Sequence, residues 1–300
     1  MTVVKTSGAA LFALCIFVSP VQAGLDALPE VEFFHLSQRD PNPLGEKALA
    51  INPEQWKHGE TEHFIYHFVH SYVATPVSVE AEFHYRVVVK ELQRQPPAIQ
   101  TKSNIYIFER PEDWRQFQQL GHLEPWTGGI HSQGSLFFLH DPRYKFHGNT
   151  LGHEIVHLLM HRYYPEGIPC WLSEGLAEYI SKAAHASYER ARGYLSKPHS
   201  EKIPTSDFLS LSVLLNLTYP PNDHVDVFYD ESERLVRFLC ATDQSAFLSL
   251  LDALGQHQQF ETALFQAYGS RFSGLLTLEG PFRAYASQEF SSAADLPGSQ

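Results

Sequence analysis

Residues 153–157 read His-Glu-Ile-Val-His, and this H-E-x-x-H pentad constrains the chain more than any other feature. Positions i and i+4 of a helix lie one above the other on a single face. His153 and His157 can therefore offer their imidazoles to one point, at the distance of about 2.0–2.1 Å that a divalent metal requires. Glu154 lies one step round the helix. It is placed to reach a water in the open metal position and to take its proton. Ile155, Val156, Leu158 and Leu159 occupy the other faces, so the helix is predicted to be buried. Burying two imidazoles and a carboxylate without partners costs several kcal/mol, a penalty that a bound cation removes.

A third ligand follows 17 positions after His157. Glu174 lies in Pro169-Cys170-Trp171-Leu172-Ser173-Glu174-Gly175-Leu176-Ala177-Glu178-Tyr179, a helical pattern that starts after a turn, Tyr163-Tyr164-Pro165-Glu166-Gly167. Folded back antiparallel on the first helix, the Glu174 carboxylate would face the two histidines and complete a His-His-Glu set with one position left for water. Gly175 inside a helix costs about 1 kcal/mol relative to alanine, and close packing of the two helices beside the metal would explain it. Glu178 is one turn further on the same face, where it would orient His153. His161 has drifted about 80° off the His153 face and is expected to be a neighbour, not a ligand.

The rest of the chain predicts an α+β fold, with a small mixed sheet and helices first and a mostly helical part afterwards. Residues 24–60 look irregular. Glu62–Tyr72 alternates like a half-buried strand, Val77–Leu92 is spaced as a helix, and Asn104–Phe108 is a short strand. Pro111–Leu120 is a helix, and Ser135–Leu139 another strand, preceded by a glycine-punctuated stretch. Thr150–Arg162 and Pro169–Ala184 are the two metal-site helices. Asp207–Leu217, Ser232–Ala241, Ser245–Leu254 and Phe260–Tyr268 have helical apolar spacing. The domain reading is a lobe over 24–162 that ends in the H-E-x-x-H helix, then a helical lobe over 163–300 with a frayed tail from about 288.

Residues 1–23 carry the marks of an export signal. Lys5 precedes an apolar run from Gly8 to Val18, and Val21-Gln22-Ala23 offers a cleavage point after Ala23. The mature protein is thus expected to be periplasmic or extracellular, with no membrane span after cleavage; an uncleaved N-terminal anchor is the alternative. Cys170 and Cys240 then remain, and in an oxidising compartment they can pair. A net charge of −12 and the absence of a basic run argue against nucleic acid as a partner.

Residues 150–181, TLGHEIVHLLMHRYYPEGIPCWLSEGLAEYIS, resemble the HExxH…WLxEGLAEY core of the gluzincin peptidases, in particular the bacterial peptidase MA-like families. The resemblance implies a thermolysin-like zincin fold. It also implies one Zn2+ per chain on His153, His157 and Glu174, with Glu154 as general base and a peptide or protein as substrate. Tyr229, in a stretch similar to a Y-x-x-S…LVxxL segment of that group, becomes a candidate donor to the developing oxyanion, with Tyr219 and His224 as rivals. An extended substrate would lie along an edge strand near Gly128–Leu139. Two other readings stay open at this point. One is a catalytically silent domain that binds peptides or serves assembly; the other is a metal carrier, in view of 17 histidines.

Overall fold

The structure is a computed structural model that describes residues 27–95, 101–125, 127–140, 147–193, 208–221 and 224–287. The expected export signal, the C-terminal tail and Asp207 lie outside the described residues.

Five strands form one mixed sheet in the order β1-β2-β3-β5-β4: β1 (Lys57–Glu60), β2 (Phe64–Phe68), β3 (Ser103–Phe108), β4 (Gly129–Ser132) and β5 (Ser135–Leu139). β2, β3 and β5 run parallel, while β1 and β4 pair antiparallel at the two edges. Parallel neighbours need crossovers, and helices α2 (Ser71–Glu91) and α3 (Pro111–Gly121) provide them. The central strands are buried on both faces, which their period-two pattern explains. In β3, Ile105 and Ile107 enter the large core, whereas Tyr106 and Phe108 point to a smaller one. The smaller core is closed by Ala48 of α1 (Pro43–Leu49) and by Trp114 and Phe117 of α3.

The large core runs without interruption from the sheet across α2, α4 (His147–Tyr163) and α5 (Cys170–Ala191) into the remaining helices. These are α6 (Leu211–Leu214), α7 (Val225–Thr242), α8 (Gln244–Gly255), α9 (Phe260–Tyr268) and α10 (Leu275–Ala286). The expected α+β architecture is observed, with helices outnumbering strands. Among the described residues no helix is long and apolar enough to cross a membrane.

Several boundaries differ from the sequence reading. The lead-in holds α1, capped by the Asn42 side chain accepting from the Leu44 amide, and the polar edge strand β1. The strand read over Glu62–Tyr72 is shorter, because the amides of Val69 and His70 donate to Glu109 and turn the chain into α2 six residues before Val77. α2 passes through Pro76 near its start. The helix read over Asp207–Leu217 shrinks to the single turn α6, and α10 was not read at all.

Cys170 and Cys240 are free thiols, which corrects the possible disulfide. Cys170 lies near Tyr229 at the start of α7, whereas Cys240 lies near Tyr179 at its far end. From 229 to 240 the helix rises about 16 Å, well beyond the Cα separation of about 4.4–6.8 Å that a disulfide spans.

Candidate metal centre

α4 and α5 pack antiparallel, and their facing stripes place each predicted site residue. The turn between them depends on Gly167, at φ 88°, whose amide donates to the Tyr164 carbonyl. A positive φ of this kind suits glycine. His153 Nε2 and His157 Nε2 stand 3.0 Å apart, and Glu174 Oε2 stands 3.2 Å from the first and 3.3 Å from the second. The other ring nitrogens are committed elsewhere. His153 Nδ1 faces Glu178 Oε1 at 3.0 Å, and His157 Nδ1 faces the Ser173 hydroxyl at 3.1 Å. Protons on both Nδ1 atoms leave both Nε2 lone pairs aimed at the same point as the carboxylate.

Three converging lone-pair donors repel one another unless a positive charge sits among them. Glu174 Oε2 is buried and makes no aligned hydrogen bond. A tetrahedral ion with donors at about 2.0–2.1 Å holds them about 3.3–3.4 Å apart, and the three separations here lie at or slightly inside that value. The residues therefore fit a zinc-like ion, and the nitrogen and carboxylate donors suit one. Without a metal, a proton on His153 supplies that positive charge. Burial opposes a charged imidazole at His153, yet the adjoining Glu174 and Glu178 carboxylates raise it to about 10. The Glu174 carboxyl is held far below the usual carboxylate range: burial resists this, but the two histidines prevail. Glu178 is likewise lowered to about 2, against its burial, by His153 and Lys182.

Glu154 stands apart from the triangle. Burial lifts its carboxyl above the usual range in spite of His153 and His157, and the His131 amide donates to it. A carboxyl shifted upward in this way is a better proton acceptor for neutral-pH chemistry.

The centre opens into a cleft of about 540 Å³ between α4 and the edge strand β4. Ile130 and His131 line it from β4, Met160 and His161 from α4. Tyr229 lines it from α7, its ring 6.2 Å from that of His153. Tyr219 also reaches the cleft, whereas His224 caps α7 outside it. His161 is exposed and forms no part of the triangle, as expected.

Two residues were missed by sequence reasoning. Ser173 carried no spacing signal, since it is the residue before Glu174 on the same helix. His131 resembled any other strand histidine. Its Nε2 accepts from the Gly134 amide at 3.3 Å. Burial, together with His157, His161 and Arg162, lowers it to about 3, so it is a neutral imidazole on the cleft wall. Gly175 admits α7 and not the expected α4. The close approach there is by α7, because a Cβ would fall 2.4 Å from the Ser232 carbonyl oxygen. A further three-residue group, Glu62, His63 and Glu82, is committed to the β1–β2 turn. Glu82 accepts there from the Thr61 hydroxyl and the His63 amide, and pairs with His63 Nδ1 at 2.7 Å.

The family model for the Peptidase MA superfamily matches residues 87–285, two thirds of the chain, from within α2 to the end of α10. The chain belongs to the Peptidase MA superfamily. That membership supports a peptidase-like domain of the hydrolase class, and members of the superfamily are commonly metallopeptidases. The fold is consistent with a zincin-like arrangement. No curated protein shows a significant match to the chain.

Proposed function

We propose that this Peptidase MA member is an exported zinc peptidase of the gluzincin type, cleaving peptide or protein substrates with one Zn2+ held by His153, His157 and Glu174. The observation that carries the reading is the triangle of donors 3.0–3.3 Å apart, with its outer nitrogens pinned by Glu178 and Ser173. Bound zinc supplies Lewis acidity, acidifying water and polarising a carbonyl. Glu154 takes a proton from the attacking water as its oxygen bonds to the carbonyl carbon, and passes that proton to the leaving amine as the C–N bond breaks. Tyr229 donates its hydroxyl proton in a hydrogen bond to the carbonyl oxygen as negative charge builds there. Burial and the nearby carboxylates push that phenol well above its ordinary pKa, which keeps the donor protonated. The substrate lies extended along β4, where edge-strand backbone groups are available to pair with it.

The test is Glu154→Gln, assayed against a peptide library alongside its zinc content. The expected result is full zinc occupancy with cleavage reduced by about 10²–10⁴-fold. A variant that cleaves as fast as the parent removes Glu154 from this role. A parent protein that cleaves nothing in a broad library, while holding zinc, supports a silent binding domain instead.

A further inference from the structure

We infer that Lys182 is a positioning residue for the metal centre, holding the Glu178 carboxylate so that it stays on His153. The inference rests on the zinc reading above and extends it one layer outward. α5 presents Glu174, Glu178 and Lys182 four residues apart, hence on one face. The two oxygens of Glu178 have separate partners: Oε1 is 3.0 Å from His153 Nδ1, and Oε2 is 3.1 Å from Lys182 Nζ. A carboxylate gripped at both oxygens cannot rotate about its last bond without losing one contact. The ring plane of His153, and with it the direction of the Nε2 lone pair, is thereby fixed.

Charge gives the second reason. Glu233 and Asp230 of α7 lie close enough to act on Lys182 together with Glu178. Glu233 is itself paired with Arg237. Without the ammonium group, Glu178 loses one of its two partners and these α7 acids lose a neighbouring cation. An ordinary i,i+4 ion pair on a helix surface contributes little and has no reach beyond itself. Lys182 differs because the far side of its partner is the histidine. Removing it is expected to act on metal affinity more than on folding, in the way outer partners of metal-binding histidines do.

The experiment measures zinc affinity by chelator competition for the parent, Lys182→Met, Lys182→Arg, Glu178→Gln and the Glu178→Gln/Lys182→Met double variant. Melting curves of the metal-free proteins are recorded beside it. Lys182→Met is expected to weaken zinc binding about 10-fold, within the range of about 10–100-fold for outer-shell changes, while the metal-free protein melts like the parent. Lys182→Arg should restore most of the affinity. The double variant should bind no more weakly than Glu178→Gln alone, because Lys182 acts through Glu178. Parental affinity in Lys182→Met overturns the inference, as does a double variant whose losses multiply. Lys182→Gln repeats the comparison should the methionine variant not fold. Glu174→Ala, run in parallel, separates the two readings. Loss of zinc there with parental affinity in Lys182→Met sinks only the role of Lys182, whereas zinc retained in Glu174→Ala sinks the metal site itself.

Discussion

Replacing Gly175 by alanine sets two effects of opposite sign against each other. In a helix interior alanine is favoured over glycine by about 1 kcal/mol, so propensity alone predicts a more stable protein. The structure predicts the reverse. A Cβ at this position would lie 2.4 Å from the Ser232 carbonyl oxygen, 2.7 Å from its carbon and 2.9 Å from Val236 Cγ2. Two of those three atoms are main chain inside α7 and have no rotamer to move to. Ordinary contact begins near 3.4 Å or beyond, so α5 and α7 must part by about 1 Å. Overpacking of this kind costs about 1–3 kcal/mol, and the rigid partner places Gly175→Ala toward the upper end. Offset by the propensity gain, the net destabilisation is about 1–2 kcal/mol, which for a domain of this size lowers Tm by about 2–8 °C. Differential scanning calorimetry of the metal-free protein measures it. An alanine variant melting at or above the parent temperature would refute the packing argument.

Two further predictions concern a buried histidine and a tyrosine on the cleft wall. His58 and His67 share a 2.8 Å contact through their Nδ1 atoms, and His67 Nε2 donates to Asn104. Burial lowers His67 to about 3 from an ordinary 6.5. A histidine with a depressed folded pKa contributes stability above about pH 6.5, and that stability is lost as pH falls toward about 3. The shift sets an upper limit of about 5 kcal/mol; urea unfolding across that window should show the decline, and His67→Gln should flatten it, an unaltered slope counting against the assignment. For Tyr229→Phe, loss of one oxyanion donor should reduce kcat by about 10²–10³-fold with KM little changed; parental kcat would transfer that role to another group, with Tyr219 the next to try.

How much of this was legible beforehand depended on whether the signal was local. The H-E-x-x-H spacing, the apolar faces of α4 and the turn before α5 are all contained in some thirty consecutive residues, and they suffice to predict that His153, His157 and Glu174 converge. The helix read over Ser232–Ala241 starts seven residues earlier, at Val225, and its polar first half, Asp230-Glu231-Ser232-Glu233-Arg234, gives no sign that Glu231 and Ser232 are fully buried and Arg234 nearly so. Their partners are remote: Glu231 accepts from the Leu209 amide and pairs with Arg283 at 3.0 Å, and Arg234 donates to the Ala286 carbonyl. Contacts spanning some twenty to fifty residues leave no periodic trace. β1, Lys57-His58-Gly59-Glu60, lacks an apolar alternation because it is an edge strand, and α10 was hidden by Gly280-Pro281 in its middle. The α7 approach at Gly175 was assigned to the wrong helix because sequence reveals a tight contact but not its partner.

The central claim concerns a cation held by side chains from two helices, and zinc content tests it most directly. Protein purified without affinity metals, loaded with Zn2+ and dialysed, should carry about one zinc per chain by elemental analysis, and Glu174→Ala, treated identically, almost none. Equal zinc in the two proteins would contradict the account.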